Sequence, residues 1–206
     1  VAVQGNIVVS SDNGGTVKVW CWEDGALLTD FTMHTERVNA VAIQNEVVVS
    51  GAWDHTIKVW RWEDGTLVTD FTQHTDKVSA VAVQGDIVVS GSADGTMKTW
   101  RWRDGALLAD FKHAGAAFAV VIQGELVVGA GNTVKIWRWA DGEVLTDFRL
   151  HTGVISAVAV LGDIVISGSC PDNIVKVWRW RNDHVSPTDF KLHRNIVDAI
   201  AVQDEI

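Results

Sequence analysis

A repeat of about 40 residues runs through the chain and limits its possible folds more than any other feature. Residues 1–40 and 41–80 are identical at about 23 of 40 aligned positions. One tryptophan and one phenylalanine mark every unit: Trp20, Trp60, Trp100, Trp137 and Trp178, and Phe31, Phe71, Phe111, Phe148 and Phe190. A repeat of this length cannot bury its apolar face by itself, so the units are expected to stack on their neighbours.

Each unit predicts four short strands that are rich in β-branched and aromatic residues. In the third unit they are VSAVAV (78–83), IVVSGS (87–92), TMKTWRW (96–102) and ALLADF (106–111), with Asp104-Gly105 as a tight hairpin turn. Several strands are apolar on both faces, which indicates sheets that are covered on both sides. No segment shows helical periodicity. The expected fold class is all-β, a β-propeller of four-stranded antiparallel blades with five blades visible.

These residues resemble the WD-repeat propeller family. The resemblance implies a His before the first strand, a Ser or Thr on the second, an Asp in the following turn and a Trp on the third. Three blades match, with His34, Ser50, Asp54 and Trp60; His74, Ser90, Asp94 and Trp100; and His151, Ser167, Asp172 and Trp178. The fourth blade keeps His113 and Trp137, but its turn at 129–132 lacks the Ser and the Asp. The resemblance implies a structural hydrogen-bond network in each matching blade.

The whole chain, 1–206, is predicted to be one propeller domain. The blades are expected at about 1–37, 38–77, 78–116, 117–153 and 154–195. The strand-like segment 196–202 has two interpretations. It closes the first blade in a five-bladed ring, or it begins a further blade of an incomplete six- or seven-bladed ring. Seven blades are commonest in the family that the chain resembles, which favours a piece of a longer protein.

Neither catalysis nor metal binding is expected. Acyl transfer needs one Ser-His-Asp set in a cleft, whereas the chain carries three equivalent sets and no strand-to-helix nucleophile turn. The repeated histidines cannot share an ion, because packed sheets lie about 10 Å apart and Zn–N bonds measure about 2 Å. These histidines are His34, His74, His113, His151 and His193. No cofactor is predicted.

Charge and cysteine content limit the kinds of partner and the cellular location that we expect for the chain. The chain has 26 acidic and 17 basic side chains and a formal net charge of −9, without a basic run that could track a phosphate backbone. Nucleic acid is therefore not an expected partner. No apolar stretch approaches the roughly 20 residues that span a bilayer. The two cysteines, Cys21 and Cys170, favour a reducing, cytoplasmic compartment.

A second tryptophan follows the first by two positions in each unit: Trp22, Trp62, Trp102, Trp139 and Trp180. This spacing places both rings on one face of the third strand. Packing between blades is the favoured interpretation, and a ladder that holds sugars is the alternative. The arginine between the two tryptophans is predicted to reach an aspartate across the hairpin, as Arg61 to Asp70, Arg101 to Asp110 and Arg138 to Asp147.

Recognition is expected where the repeats differ. Trp53 stands where the third unit has Ala93, and His55 replaces Gly95. Arg37, Lys77 and Arg194 are placed on the same rim. This rim is predicted to bind protein or peptide partners, because loops and tryptophans often carry binding. The alternative is a loop tryptophan folded onto its own blade.

The turns of the opposite rim carry Glu23, Asp24, Glu46, Glu63, Asp64, Asp86, Asp104, Glu125, Asp141 and Asp163. Such a rim favours basic partners, or it serves solubility and turn chemistry. The predicted function is a non-catalytic interaction scaffold that belongs to a larger chain or complex. A carbohydrate-binding propeller is the alternative.

Overall fold

The fold consists of β-strands joined by turns, as the repeat pattern predicts. A computed structural model describes residues 1–113, 115–181, 187–191, 195 and 197–202, and contains twenty strands in five sheets. Within these residues no helix is both long and apolar enough to cross a membrane.

The sheets follow one another along the chain. The first contains β1 (Ala2–Gln4), β2 (Ile7–Ser11), β3 (Val17–Cys21) and β4 (Leu27–Phe31). The second contains β5 (Val38–Gln44), β6 (Val47–Ala52), β7 (Ile57–Arg61) and β8 (Thr66–Phe71). The third contains β9 (Val78–Gln84), β10 (Ile87–Ser92), β11 (Thr96–Arg101) and β12 (Ala106–Lys112). The fourth contains β13 (Ala119–Gln123), β14 (Leu126–Ala130), β15 (Val134–Arg138) and β16 (Val144–Phe148). The fifth contains β17 (Val154–Leu161), β18 (Ile164–Cys170), β19 (Val175–Arg179) and β20 (Thr188–Phe190).

Every sheet is an antiparallel meander in which the strands pair in chain order. In the third sheet Ser90 pairs with Lys98, and Lys98 pairs with Asp110. A bulge between Thr99 and Trp100 shifts the pairing of the last two strands. The second sheet has the corresponding bulge between Val59 and Trp60. The predicted class, four-stranded antiparallel blades with five visible, is confirmed.

The core lies between the sheets. One cluster joins Val49 and Val59 of the second sheet to Val88 and Trp100 of the third. The Trp100 ring is fully buried, with its centroid 4.5 Å from that of Phe71. Because both sides of a central strand are covered, its residues are apolar in succession, which explains runs such as Val47-Val48-Val49.

Close approach of neighbouring sheets requires glycine on the second strand. A Cβ atom at Gly51 would lie 2.6 Å from Val78 Cγ1 and 2.8 Å from Val81 Cγ1. Gly168 has the same relation to Val197 and Ile200, at 2.5 Å and 3.1 Å. The Oγ of Ser156 also donates to the carbonyl of Val197 (2.6 Å). Residues 197–202 therefore lie against the fifth sheet as β9 lies against the second.

The packing of 197–202 bears on the two interpretations of this segment. The first sheet takes its own first strand from Ala2–Gln4, which pairs with β2 from Ala2↔Val9 to Gln4↔Ile7. In the described structure the segment is not paired with β2, and closure of the ring stays a prediction. The segment occupies the position of a first strand that follows the fifth sheet.

Candidate functional site

The sheets expose two rims. The Trp53 rim holds the turns between second and third strands and the links between sheets, and the Asp-Gly rim holds the other turns. A chain of hydrogen bonds connects the Trp53 rim of the second sheet to its core. Trp60 Nε1 donates to Ser50 Oγ (2.9 Å), which lies 2.7 Å from His34 Nε2. His34 Nδ1 lies 2.8 Å from Asp54 Oδ2. One neutral tautomer satisfies all of them: Ser50 donates to Nε2, and Nδ1–H donates to the carboxylate.

The third and fifth sheets repeat this arrangement. His74 lies 2.7 Å from Asp94 and 2.8 Å from Ser90, whose Oγ accepts from Trp100 Nε1 (3.0 Å). In the fifth sheet His151 lies 3.0 Å from Asp172 and 2.7 Å from Ser167. Trp178 completes that sheet's predicted set, but its Nε1 has no hydrogen-bond acceptor within the described residues.

Burial sets the protonation of these groups. It lowers the pKa of His34, His74 and His151, and the hydrogen bond from each ring to its aspartate offsets this only in part. Burial raises the pKa of the Asp94 carboxyl, but hydrogen bonds from Thr96 and His74 outweigh burial and bring it to about 2. Near neutral pH the network therefore combines a neutral imidazole with a carboxylate.

The network has the order of a hydrolytic triad but lacks an accessible nucleophile. Ser50, Ser90 and Ser167 each have 0% exposure, so no substrate carbonyl can reach their Oγ atoms. In two sheets that Oγ also accepts a hydrogen bond from the tryptophan indole. The groups are placed to tie a rim turn to its own sheet, which is the use that the buried donors and acceptors require.

His113, the equivalent histidine of the fourth sheet, lacks the serine and aspartate partners that the matching histidines of the other three sheets have. It is 7% exposed, and the fourth sheet offers it glycine and alanine at 129–131 instead of serine and aspartate. Neither ring nitrogen has a hydrogen-bond partner among the residues that the structure describes. Such a buried orphan costs about 1–3 kcal/mol. The fourth sheet therefore lacks the His–Ser–Asp network that the second, third and fifth sheets have at this rim.

Trp53, Arg37 and Lys77 meet on the Trp53 rim and form what we call the Trp53 cluster. Lys77 Nζ lies 3.8 Å from the Trp53 ring centroid, and Arg37 Cζ lies 5.2 Å from it. The Trp53 N–H donates to the Arg37 carbonyl (2.9 Å), as Ala93 N–H does to that of Lys77. Trp53 is thus a large side chain on a turn that the third sheet builds with alanine. The two exposed cations are held by cation–π attraction, worth about 0.5–1 kcal/mol each at a surface.

His55 lies beside this cluster in a backbone conformation that favours glycine. Its φ is 68°, close to the 81° of Gly95 at the same place in the third sheet. Its side chain is exposed. Arg194, the fifth residue predicted for this rim, lies outside the described residues.

The Asp-Gly rim shows that the predicted cross-strand pairs from Arg61, Arg101 and Arg138 are wrong. These arginines bind aspartates three residues further on, Asp64 (3.0 Å), Asp104 (2.6 Å) and Asp141 (2.7 Å). The bulge before each conserved turn places Arg61 opposite Thr66, while Lys58 lies directly opposite Asp70. The lysines take the distant aspartates, as Lys58–Asp70 (2.6 Å), Lys98–Asp110 and Lys135–Asp147 (3.2 Å).

These pairs also change the charge expected of that rim. Asp64, Asp86, Asp104, Asp141 and Asp163 each have an arginine partner. The carboxylate of Asp64 also accepts from the backbone N–H of Thr66, so it serves the turn as well. Five of the ten acidic side chains named for this rim are thus neutralised by arginine, while the other five have no ion pair within the described residues.

Four of the five second tryptophans pack between sheets: Trp62, Trp102, Trp139 and Trp180. Trp60 and Trp62 both pack against the first sheet, and Trp102 is 5% exposed. The indoles of Trp62, Trp102 and Trp139 donate to turn carbonyls at 2.8, 3.0 and 3.1 Å. Trp22 differs, with 62% of its surface exposed.

Comparison with known proteins agrees with the fold. The sequence model of the WD domain, G-beta repeat family matches residues 25–61 and 65–101. These two matches support a WD-repeat family for the chain. Each matched repeat begins near the fourth strand of one sheet and ends on the third strand of the next, so one WD repeat spans two sheets. His34 and His74 lie at these crossings.

Solved structures share the fold. A crystal structure of the computationally designed Ika8 protein matches with a TM-score of 0.88 and 35% identity, over 98% of this chain and 65% of that one. The chain therefore spans about two thirds of the designed protein's length. None of the curated proteins compared with the chain matches it. WD repeats and propeller folds generally mediate protein interactions, and they are typically non-catalytic scaffolds.

Sequence reasoning placed Trp53, Arg37 and Lys77 on one rim but did not foresee their stacking, which depends on how the third sheet sits against the second. It also missed the lysine–aspartate pairs. The recurring Lys at two residues before each Trp, with an Asp near the end of the fourth strand, was the available signal. In the part of the chain that the structure describes, no group of three His, Cys, Asp or Glu could hold a metal ion.

Proposed function

We propose that this WD-repeat chain is a non-catalytic interaction module that binds a peptide or protein partner at the Trp53 cluster. The observation that carries the proposal is the contact of Lys77 and Arg37 with the Trp53 ring on an exposed turn. The third sheet builds the same turn with Ala93, so the fold does not require the tryptophan. Tryptophan and arginine are the residues most enriched where interfaces draw their binding energy.

The chemistry of the cluster indicates the kind of contact. Lys77 and Arg37 hold their charged groups over the ring, so less rotamer entropy is lost when a partner carboxylate or carbonyl binds them. The half-buried Trp53 ring supplies apolar area beside these donors. A partner segment with an acceptor next to an apolar side chain fits this surface.

Peptides selected from a displayed random library against the purified chain test the proposal. The Trp53→Ala variant, which copies the third sheet, should lose about thirtyfold in affinity, since interface tryptophans often contribute about 2 kcal/mol. The matched control is Trp22→Ala, which removes an exposed indole elsewhere and should bind normally. Equal binding by wild type and Trp53→Ala would refute the proposal.

The carbohydrate-binding alternative has less support, because the rings of Trp62 and Trp102 lie between sheets and their indole N–H groups are already used. We extend the proposal to a cytoplasmic location and to partners other than nucleic acid and membranes. Both cysteines carry free thiols, which supports a reducing compartment. Fractionation of cells that express the tagged chain tests the location.

A further inference from the structure

The Asp-Gly rim differs between the fifth sheet and the others. In the second, third and fourth sheets an arginine at the end of the third strand binds the aspartate three residues later. The residue three positions after Arg179 is Asn182, whose amide carries no charge. Arg179 instead binds Asp163, with Nη1 at 2.9 Å from Oδ1 and 2.7 Å from Oδ2.

Because Arg179 binds Asp163, a second arginine of the fifth sheet, Arg181, lacks the aspartate partner that its equivalent in the third sheet has. In the third sheet Asp86, the equivalent of Asp163, binds Arg103 at 2.6 Å. In the fifth sheet Arg179 engages both oxygens of Asp163, and Arg181 stands where Arg103 stands. Arg181 lies over the Trp180 ring, with Cζ 4.8 Å from the centroid, as Arg103 lies over Trp102. Among the described residues Arg181 has no carboxylate within ion-pair distance.

Arg181 lines an open groove between the fourth and fifth sheets. One part has a volume of about 580 Å³ and an adjoining part about 490 Å³. The two parts share Glu125, Leu126 and Arg181. Leu145 and Trp180 extend the apolar wall of the second part. The groove thus combines an apolar surface with a cation that has no anionic partner in the described structure.

Gln123 also lines this groove. Its Oε1 is buried and has no hydrogen-bond donor in the described part of the chain. The equivalent oxygens of Gln4 and Gln84 accept the N–H of the next sheet's turn, at 2.7 and 2.9 Å. Gln44 shares the lack of a donor, but at that junction Arg103 is bound by Asp86. Because the Gln123 oxygen is buried, the cation that a ligand in the groove can reach is the exposed guanidinium of Arg181.

We propose that this groove binds an extended peptide segment that carries one Asp or Glu beside an apolar side chain. The peptide carboxylate pairs with the Arg181 guanidinium, and the apolar side chain packs on Leu126, Leu145 and Trp180. Glu125, on the groove wall, repels ligands with several acidic residues. The site lies on the rim opposite the Trp53 cluster and stands independently of the function proposed there.

Two synthetic peptides are the probes: acetyl-Gly-Leu-Asp-Gly-amide and the same peptide with Asn for Asp. Binding is followed by the NMR signal of the Trp180 indole N–H in the ¹⁵N-labelled chain, assigned with Trp180→Phe. The Asp peptide should bind at least about tenfold more tightly, because a charge-assisted hydrogen bond is lost with Asn. Arg181→Gln should remove this difference, and Arg103→Gln, at the paired equivalent site, should keep it.

A variant outside the groove separates recognition from a general surface effect. Asn182→Asp restores the aspartate that the second, third and fourth sheets have three residues after this arginine, and Arg179 is then expected to bind it and leave Asp163 to Arg181. The Asp peptide should then lose about tenfold in affinity although no groove residue has changed. Equal binding of the two peptides, unchanged binding by Arg181→Gln, or no shift at millimolar peptide would each overturn the proposal.

Discussion

At the scale of single residues, side chains that recur among the units differ in their surroundings from a side chain that occurs once. Ser50 and Ser90 each donate to a histidine and accept from a tryptophan, and they are fully buried. Trp53 has no counterpart among the repeats and stands at the surface. A side chain that recurs in every unit is thus tied to stacking, and one that occurs once is available for a partner.

The central position of Ser90 predicts a large loss of stability on Ser90→Ala. The change leaves the Trp100 N–H without an acceptor and His74 Nε2 without a donor, so the free energy of unfolding should fall by about 2–3 kcal/mol. Urea denaturation followed by circular dichroism measures it. Ser10→Ala is the control. Ser10 accepts from Trp20 but has no histidine partner in the described residues, so the free energy of unfolding should fall by less. Equal losses would contradict the network as described.

The histidines predict a dependence on pH. Burial lowers the pKa of His34, His74 and His151 in the folded chain below the ordinary value of 6.5. Below about pH 6.5 the unfolded chain takes up protons that the folded chain does not, so stability is full above that pH and falls as pH falls. The urea midpoint should therefore drop between pH 6.5 and 5. His74→Gln should make this drop shallower, and an unchanged slope in the variant would contradict it.

At the scale of strands and sheets, ion pairs of similar length differ in how far their cation is buried. Lys58 is 6% exposed and binds Asp70 from within the packed sheet. The side chains of Arg61 and Asp64 are about half exposed on the rim. An exposed pair contributes about 0–1 kcal/mol, whereas a buried ammonium that loses its carboxylate costs more.

Asp70→Asn and Asp64→Asn compare these environments with matched chemistry. Asn at 64 can still accept the Thr66 N–H and keep the turn, so the melting temperature should change little. Asn at 70 leaves the buried Lys58 charge without its counterion and should cost about 1–3 kcal/mol. Thermal denaturation at low and high salt measures both effects. Equal effects would show that the Lys58 charge is hydrated despite its low exposure.

Strands were predictable from the sequence because turn chemistry and apolar runs are local. The predicted 78–83, 87–92 and 106–111 agree with β9, β10 and β12 to within one residue. Ion pairs were not predictable, because the bulge at Val59/Trp60 shifts the register that a simple hairpin implies. The groove at Arg181 was not predictable from the sequence, because it depends on the pairing of Arg179 with Asp163 in the folded chain, where position 182 has no carboxylate.

At the scale of the whole molecule, each sheet packs on the sheets next to it in the chain, and burial is uneven among the described residues. Trp102 of the third sheet is 5% exposed, whereas Trp22, at the same position in the first sheet, is 62% exposed. Val3 is 64% exposed, although its equivalents Ile43 and Val83 pack against neighbouring sheets. Stability in such an array is a sum over units and the interfaces between them.

Uneven burial predicts an order of opening in the 206-residue chain. Native-state hydrogen exchange should be slowest in β6 (Val47–Ala52) and β10 (Ile87–Ser92), which are fully or almost fully buried and flanked by sheets on both sides. Exchange should be fastest in β1 (Ala2–Gln4) and β20 (Thr188–Phe190), whose residues are largely exposed.

Trp102→Ala should speed exchange in the second and third sheets and cost about 3–5 kcal/mol, because it empties a packed interface. Trp22→Ala should leave both sheets unchanged. Uniform protection across all five sheets would show that the interfaces, not the units, set the stability, and that the chain opens as one cooperative body.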